Sequence, residues 1–251
     1  MWVCDALQAI AITQLFVIVL QWVVGRRWTT AAGLAAVLVL AVGPLVWAAG
    51  LSARLPNALG AYLDRSSGSN FPLFPFAAFV LAGTVAGAQL GRQDPQTRRR
   101  RALLWGAGLL ASGAALALAL AGRVDFWGVS PGYVLLRLGA LLFLLLGVES
   151  LARRAWPGMR VLALLGRETL LVFVLHLYLL FGGVLARAPL AAWIGRLGFL
   201  AASGTLLAML PFLLASAWAW HRLKAVRPHE AQLLLVFLAA AFVFEYLTRP
   251  W

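Results

Sequence analysis

The chain has 251 residues, 63% of them hydrophobic and only 12% charged, and its mean hydropathy is +0.90. Soluble domains carry about half apolar and a quarter charged residues, so an ordinary water-soluble globule and a disordered chain are both excluded. The net charge is +13, from 21 Lys+Arg against 8 Asp+Glu, and in so apolar a chain this excess fits loops held against anionic lipid rather than nucleic acid.

A membrane span takes about 20 mostly apolar residues. The apolar runs are long and rich in Leu and Ala, which favours helices over barrel strands of about ten alternating residues. The fold predicted is therefore all-α: one integral membrane domain over 1–251, a polytopic bundle of about eight transmembrane helices, with no room for a large extramembrane domain.

The first helix is expected at 6–24. It carries Asp5 and Gln8 on one face and Gln14 and Gln21 on another. Polar groups in lipid need partners, so these faces meet other helices or line a substrate cavity. No basic segment precedes it, so Met1 opens no recognisable signal peptide. Arg26 and Arg27 lead to a second helix at 29–50. The connection 51–72 contains Tyr62, Asp64, Arg65 and a polar run to Asn70, then Phe71-Pro72-Leu73-Phe74-Pro75-Phe76 at the mouth of a third helix, 73–91. It is either a helix entry with an aromatic anchor or a loop folded over an outward-facing cavity. Gly83, Gly87 and Gly91, four apart, predict a groove where another helix approaches closely.

Arg92 and Arg98 to Arg101 precede a fourth helix at 102–121. The fifth, 132–150, holds Tyr133, Arg137 and Glu149. Arg137 either snorkels to the near face or binds an anionic group in the bundle, and Glu149 faces Arg153 one turn on. The sixth, 168–186, places Thr169, His176 and Gly183 on one stripe. His176 lies about 12 Å of rise beyond Glu168, well inside the hydrocarbon. An ionisable group there faces a functional interior or a buried structural hydrogen bond. The last two helices are expected at 198–220 and 229–247, with His221, His229 and Glu230 in a basic loop read as a solvated or lipid-facing cluster.

Fourteen of the 21 basic residues fall in the four loops after the first, third, fifth and seventh helices. Short-loop Lys/Arg bias sets orientation, so these loops face the cytoplasm and both termini face outward, the periplasm for a bacterial inner membrane. An outward N-terminus without a signal peptide predicts further helices upstream in the same gene, or a partner subunit. A homo-oligomer is equally compatible. One cysteine, Cys4, allows neither an internal disulfide nor a cysteine metal site, and no metal is expected.

Three ordered segments carry a resemblance. They are Asp5-Ala6-Leu7-Gln8-Ala9-Ile10-Ala11, the Phe71-to-Phe76 entry with its glycines, and Leu165-Gly166-Arg167-Glu168-Thr169-Leu170 leading to Leu175-His176. Together they resemble bacterial relatives of the heparan-alpha-glucosaminide N-acetyltransferase catalytic domain, and the last segment is more loosely similar to the membrane acyltransferase 3 proteins. The resemblance implies a multi-pass acetyltransferase that takes acetyl-CoA as donor and passes the acetyl group to a sugar amine or hydroxyl beyond the membrane. Members of that family usually begin with a basic segment, an Asp-x-x-Arg-Gly-like motif and a catalytic His, none of which stands here. The chain is therefore expected to be the C-terminal part of such an enzyme, unable to transfer acetyl groups by itself. His176 matches a later family position and is the one catalytic candidate. Thr169, Arg137, Asp5, Gln8, Phe71, Pro72 and Phe74 are the expected substrate- or cofactor-binding residues. A second reading is a non-enzymatic membrane protein: a carrier, a flippase or a structural subunit of a complex. Bound CoA separates the two.

Overall fold

A computed structural model describes residues 4–66, 68–154, 156–181 and 198–248. Every regular element among the described residues is helical, as the composition predicts. The chain divides into two compact units, Met1–Ser150 and Leu151–Trp251, where the sequence reading has one domain.

The first unit opens with α1, Ala6–Val24. Asp5 is its N-cap in a capping box: the Asp5 carboxylate accepts from the first turn, and the Gln8 side chain accepts from the Asp5 amide at 3.1 Å. A turn at Gly25 (φ 58), Arg26 and Arg27 leads into α2, Trp28–Ala48. The stretch Ala6–Ala48 is unbroken in its helical turns, but it folds back. Val17 shares one buried cluster with Ala32, Ala36 and Leu81, and along a straight helix Val17 and Ala32 would stand about 22 Å apart.

A short turn, α3 (Asn57–Gly60), precedes α4, Leu73–Leu90. Asp94 caps α5, Pro95–Ala119, accepting from the amides of Gln96 and Thr97, with Pro95 at the first position where a missing N–H costs nothing. The helix therefore begins seven residues before the expected 102, and Arg98 to Arg101 ride on its first turns rather than in a loop. α6 spans Pro131–Arg153. The Phe71 amide donates to the Cys4 carbonyl, and the Trp47 indole N–H donates to the Phe74 carbonyl at 3.0 Å. So the start of α1, the end of α2 and the start of α4 lie at one end, the cap end. Arg98 and Glu149 meet at 2.7 Å and bring the start of α5 and the end of α6 together at the opposite, basic end.

α5 and α6 approach each other backbone to backbone. A Cβ added at Gly132 would stand 2.6 Å from the Ala117 amide and 2.8 Å from the Gly113 carbonyl. One at Gly113 would stand 2.7 Å from the Leu136 amide, and one at Gly139 would stand 2.9 Å from the Gly106 carbonyl. Lipid supplies no hydrophobic force between helices, so this close backbone approach is what packs them. The expected seam is not used that way. A Cβ at Gly83 or Gly87 would meet nothing within 4 Å. Those glycines border open space, which corrects the prediction that a helix fills the groove.

In the second unit, α7 (Met159–Arg167) and α8 (Thr169–Phe181) meet at an 80° bend, where the sequence predicts one straight span from 168. Arg160 and Arg167 are seven apart and share one face of α7, with Val161, Leu162 and Leu165 opposite, the pattern of a helix lying in an interface. α9 spans Phe199–Val226 and α10 spans Pro228–Thr248. His221 and Lys224 therefore sit on helix, not in the expected loop. Counting Ala6–Ala48 once, five helices among the described residues are long and apolar enough to cross a membrane, or six with the bent pair. The expected eight is approximate: the fold-back of α1 and α2 and the shorter apolar run Pro228–Ala241 account for the difference.

Candidate functional site

Most residues singled out from sequence are engaged locally. Asp5 and Gln8 are occupied by the capping box. Phe71 packs edge-on against Phe76, Pro72 is fully buried, and the Phe74 carbonyl takes the Trp47 indole. Arg137 is exposed and stacks over the Tyr133 ring at 4.2 Å. Thr169 returns its hydroxyl to the Gly166 carbonyl at 2.6 Å. His176 is half-buried, with Nδ1 3.3 Å from the Val172 carbonyl one turn back and its ring against Phe173. The described residues bring no carboxylate to it. Gly183, on the same expected stripe, lies outside the described residues. Gln14 and Gln21 are exposed on the unit rather than packed inside it.

The connection 51–72 is tied down as a cap. Asp64 is buried and accepts from the Ser52 hydroxyl at 2.5 Å and from the Ser66 amide at 2.8 Å. Burial pushes its carboxyl up, but the Ser52 and Ser66 hydrogen bonds together outweigh that and hold it below the ordinary carboxylate range. The Cys4 amide donates to the Ser69 hydroxyl, and the Leu73 amide donates to the Tyr62 carbonyl. Gly60 stands where a Cβ would lie 2.7 Å from the Ser52 carbonyl, so only glycine lets these strands of the cap close up. Cys4 is fully buried, and burial pushes its thiol up to about 11. This polar cluster is satisfied, and its role is to lock the ends of α1, α2 and α4.

Among the described residues, the second unit holds an arrangement with chemistry of its own. Glu168 sits at the bend between α7 and α8, 4% exposed. Its Oε2 takes Lys224 Nζ at 2.6 Å, and its Oε1 lies 3.1 Å from His221 Nδ1. His221 and Lys224 are three apart on α9, so one helix face delivers both. Burial pushes the Glu168 carboxyl up. The hydrogen bonds and charges of Lys224 and His221 outweigh it and hold the carboxyl below its ordinary value. An ionised carboxylate only accepts, so Nδ1 must carry a proton in this contact, and the neutral tautomer that does so keeps its Nε2 lone pair for another. The imidazole is 42% exposed and so reachable. Arg222 lies over Trp218 and Lys224 near Trp220, giving the same end of α9 a positive field. A histidine base held by a buried carboxylate is the geometry of general-base catalysis.

The sequence does not show this pair, because its members are 53 residues apart and the arginines around His221 read as a solvated loop. The available signal was the His-x-x-Lys spacing on an extended α9. Among the described residues, no group of three or more His, Cys, Asp or Glu could hold a metal ion. Comparisons with protein-family models, with curated proteins and with solved structures found no match.

Proposed function

We propose that this chain is a membrane-embedded acyltransferase of the acetyl-CoA-dependent kind, acting on a sugar amine or hydroxyl, with His221 rather than His176 as its base. The observation that carries the reading is the 3.1 Å contact of His221 Nδ1 with the buried carboxylate of Glu168. In the step proposed, the acceptor nitrogen or oxygen bonds to the thioester carbonyl carbon as its proton passes to His221 Nε2. The carbon–sulfur bond then breaks, and the CoA thiolate leaves with the proton from the imidazolium. Glu168 steadies that imidazolium, and Arg222 on the same end of α9 offers charge of the kind CoA phosphates need. The resemblance of Leu165-to-His176 to the acetyltransferase family supports the same chemistry and a bacterial inner-membrane setting, and the Lys/Arg bias of the loops supports both termini outside.

Membranes of cells making the full gene product are the place to test this, by following acetyl-CoA-dependent acetylation of an amino sugar. His221→Gln should lower turnover by about 10²–10⁴-fold, the usual effect of losing a positioned base. His176→Leu should leave it within about twofold. A His221→Gln protein as active as the wild type overturns the assignment, and wild-type membranes without any acetylation overturn the enzyme. The second reading is a lipid-handling carrier without catalysis. It is favoured by the open apolar groove bordered by Gly83 and Gly87.

A further inference from the structure

The groove in the first unit has about 1000 Å³ of free volume, at the upper end of the roughly 300–1,000 Å³ common for small-molecule sites. It runs between α4 and α5 with α2 and α6 behind. Along α4 it extends from Ala78 to Gly91, about 20 Å of helix rise, somewhat more than the ~15 Å depth of one leaflet of the hydrocarbon core. Its polar groups are not scattered. Gln89 and Arg98 are the polar side chains that line it, and both stand at the basic end. Deeper in, the lining is apolar apart from Trp105 with its indole N–H. Glu149 accepts one N–H of the Arg98 guanidinium at 2.7 Å, and the fork carries five such donors. Arg92 lies just before this mouth, and Arg99, Arg100 and Arg101 follow Arg98 on the first turns of α5.

We propose that this groove is a binding site for an anionic glycerophospholipid. One acyl chain lies along Gly83 and Gly87, and the phosphate lies at Arg98. Length, lining and charge agree on that occupant. A zwitterionic lipid would gain the groove but nothing from the basic mouth, whereas each basic residue near the surface favours an anionic headgroup. A second helix in the groove would cover the donors of the guanidinium fork that Glu149 does not take. The site lies in the unit that does not contain Glu168 and His221, so it stands or falls apart from the catalytic reading.

The experiment is native mass spectrometry of the full chain released from micelles containing equal dioleoylphosphatidylglycerol and dioleoylphosphatidylcholine. The wild type should retain phosphatidylglycerol in preference. Arg98→Gln keeps a hydrogen-bond donor for Glu149 but loses the charge, and should cut that preference about fivefold. Gly87→Leu fills the groove where a side chain meets nothing and should abolish retention of both lipids. Helix content by circular dichroism checks that each variant is folded. Equal retention of the two lipids by the wild type overturns the proposal whatever the variants do. So does a folded Gly87→Leu protein that still holds phosphatidylglycerol, or one that changes oligomeric state without changing bound lipid, which would mean the groove seats a second copy.

Discussion

Replacing Gly132 by alanine adds a single methyl at the closest approach of α5 and α6. That carbon would stand 2.6 Å from the Ala117 amide nitrogen, 2.8 Å from the Gly113 carbonyl oxygen and 2.9 Å from the Ala117 Cα. All three are backbone atoms, so no side chain can turn away. The nearest is about 0.8 Å short of the 3.4 Å at which ordinary contact begins, so the helices must part by nearly that much. A gap of 0.5–1 Å forfeits about a quarter to a half of each dispersion well along the seam, and overpacking of this kind costs about 1–3 kcal/mol. Alanine returns at most about 1 kcal/mol of helix propensity. With the full return subtracted the net loss is about 0–2 kcal/mol, which for a chain of this size lowers Tm by up to about 8 °C. Gly87→Ala is the matched control: its methyl meets nothing within 4 Å, so Tm should stay level or rise by a few degrees, about 2–4 °C. The measurement is thermal unfolding in one detergent at one scan rate, followed by tryptophan fluorescence. If Gly87→Ala falls as far as Gly132→Ala, the α4 face is packed, and the reasoning behind both the seam and the groove fails.

Sidedness gives a second test. Arg99→Cys at the basic end and Asn70→Cys on the cap should be labelled from opposite sides of the membrane by an impermeant maleimide. The native Cys4 should stay silent, being buried with its thiol raised to about 11. Labelling of both engineered sites from one side refutes the topology. Acid titration of the second unit gives a third. The Glu168 carboxyl is held below its ordinary value when folded, so its contribution is fully present above the unfolded pKa and is lost as pH falls through the lowered folded one. The α8–α9 crossing should therefore persist at neutral pH and loosen only below the ordinary glutamate range. Lys224→Met removes a charge that lowers this carboxyl and should move the acid transition to higher pH, read by limited proteolysis. A transition that does not move would mean that Lys224 contributes nothing to the crossing.

What sequence made legible was the part of the fold decided by composition and local pattern. Apolar length fixed the helical membrane class and put the start of α1 at residue 6, but the capping box of Asp5 with Gln8, a local contract between positions three apart, is a finding of the structure. The side chains looked like cavity lining, but they are spent on their own backbone. The start of α5 was placed late because a run of arginines reads as loop, whereas Asp94-Pro95 is a complete start signal seven residues earlier. His221 was placed in a loop because α9 was ended at 220, six residues before its actual end at Val226. Its partner Glu168 lies a whole helix away in the chain, and no periodicity reports a contact of that kind.

The glycines carry this furthest. A spacing of four on α4 and a spacing of seven on α5 and α6 both keep glycines on one helix face, so sequence says that each face is smooth but not what lies against it. On α5 and α6 two smooth faces oppose each other, and backbone meets backbone at Gly113 and Gly132. On α4 the face at Gly83 and Gly87 has open space before it, and the nearest cation is at its end. In water such a face would be closed by burial of apolar surface. In a bilayer that force is absent between helices, and lipid tails are as good a neighbour as leucine. A smooth membrane face is therefore stable in either state, packed on a helix or wetted by an acyl chain. Charge at the mouth tips the choice toward lipid: an arginine paired with Glu149 and followed by three more is costly to bury against another helix but well placed beneath a phosphate.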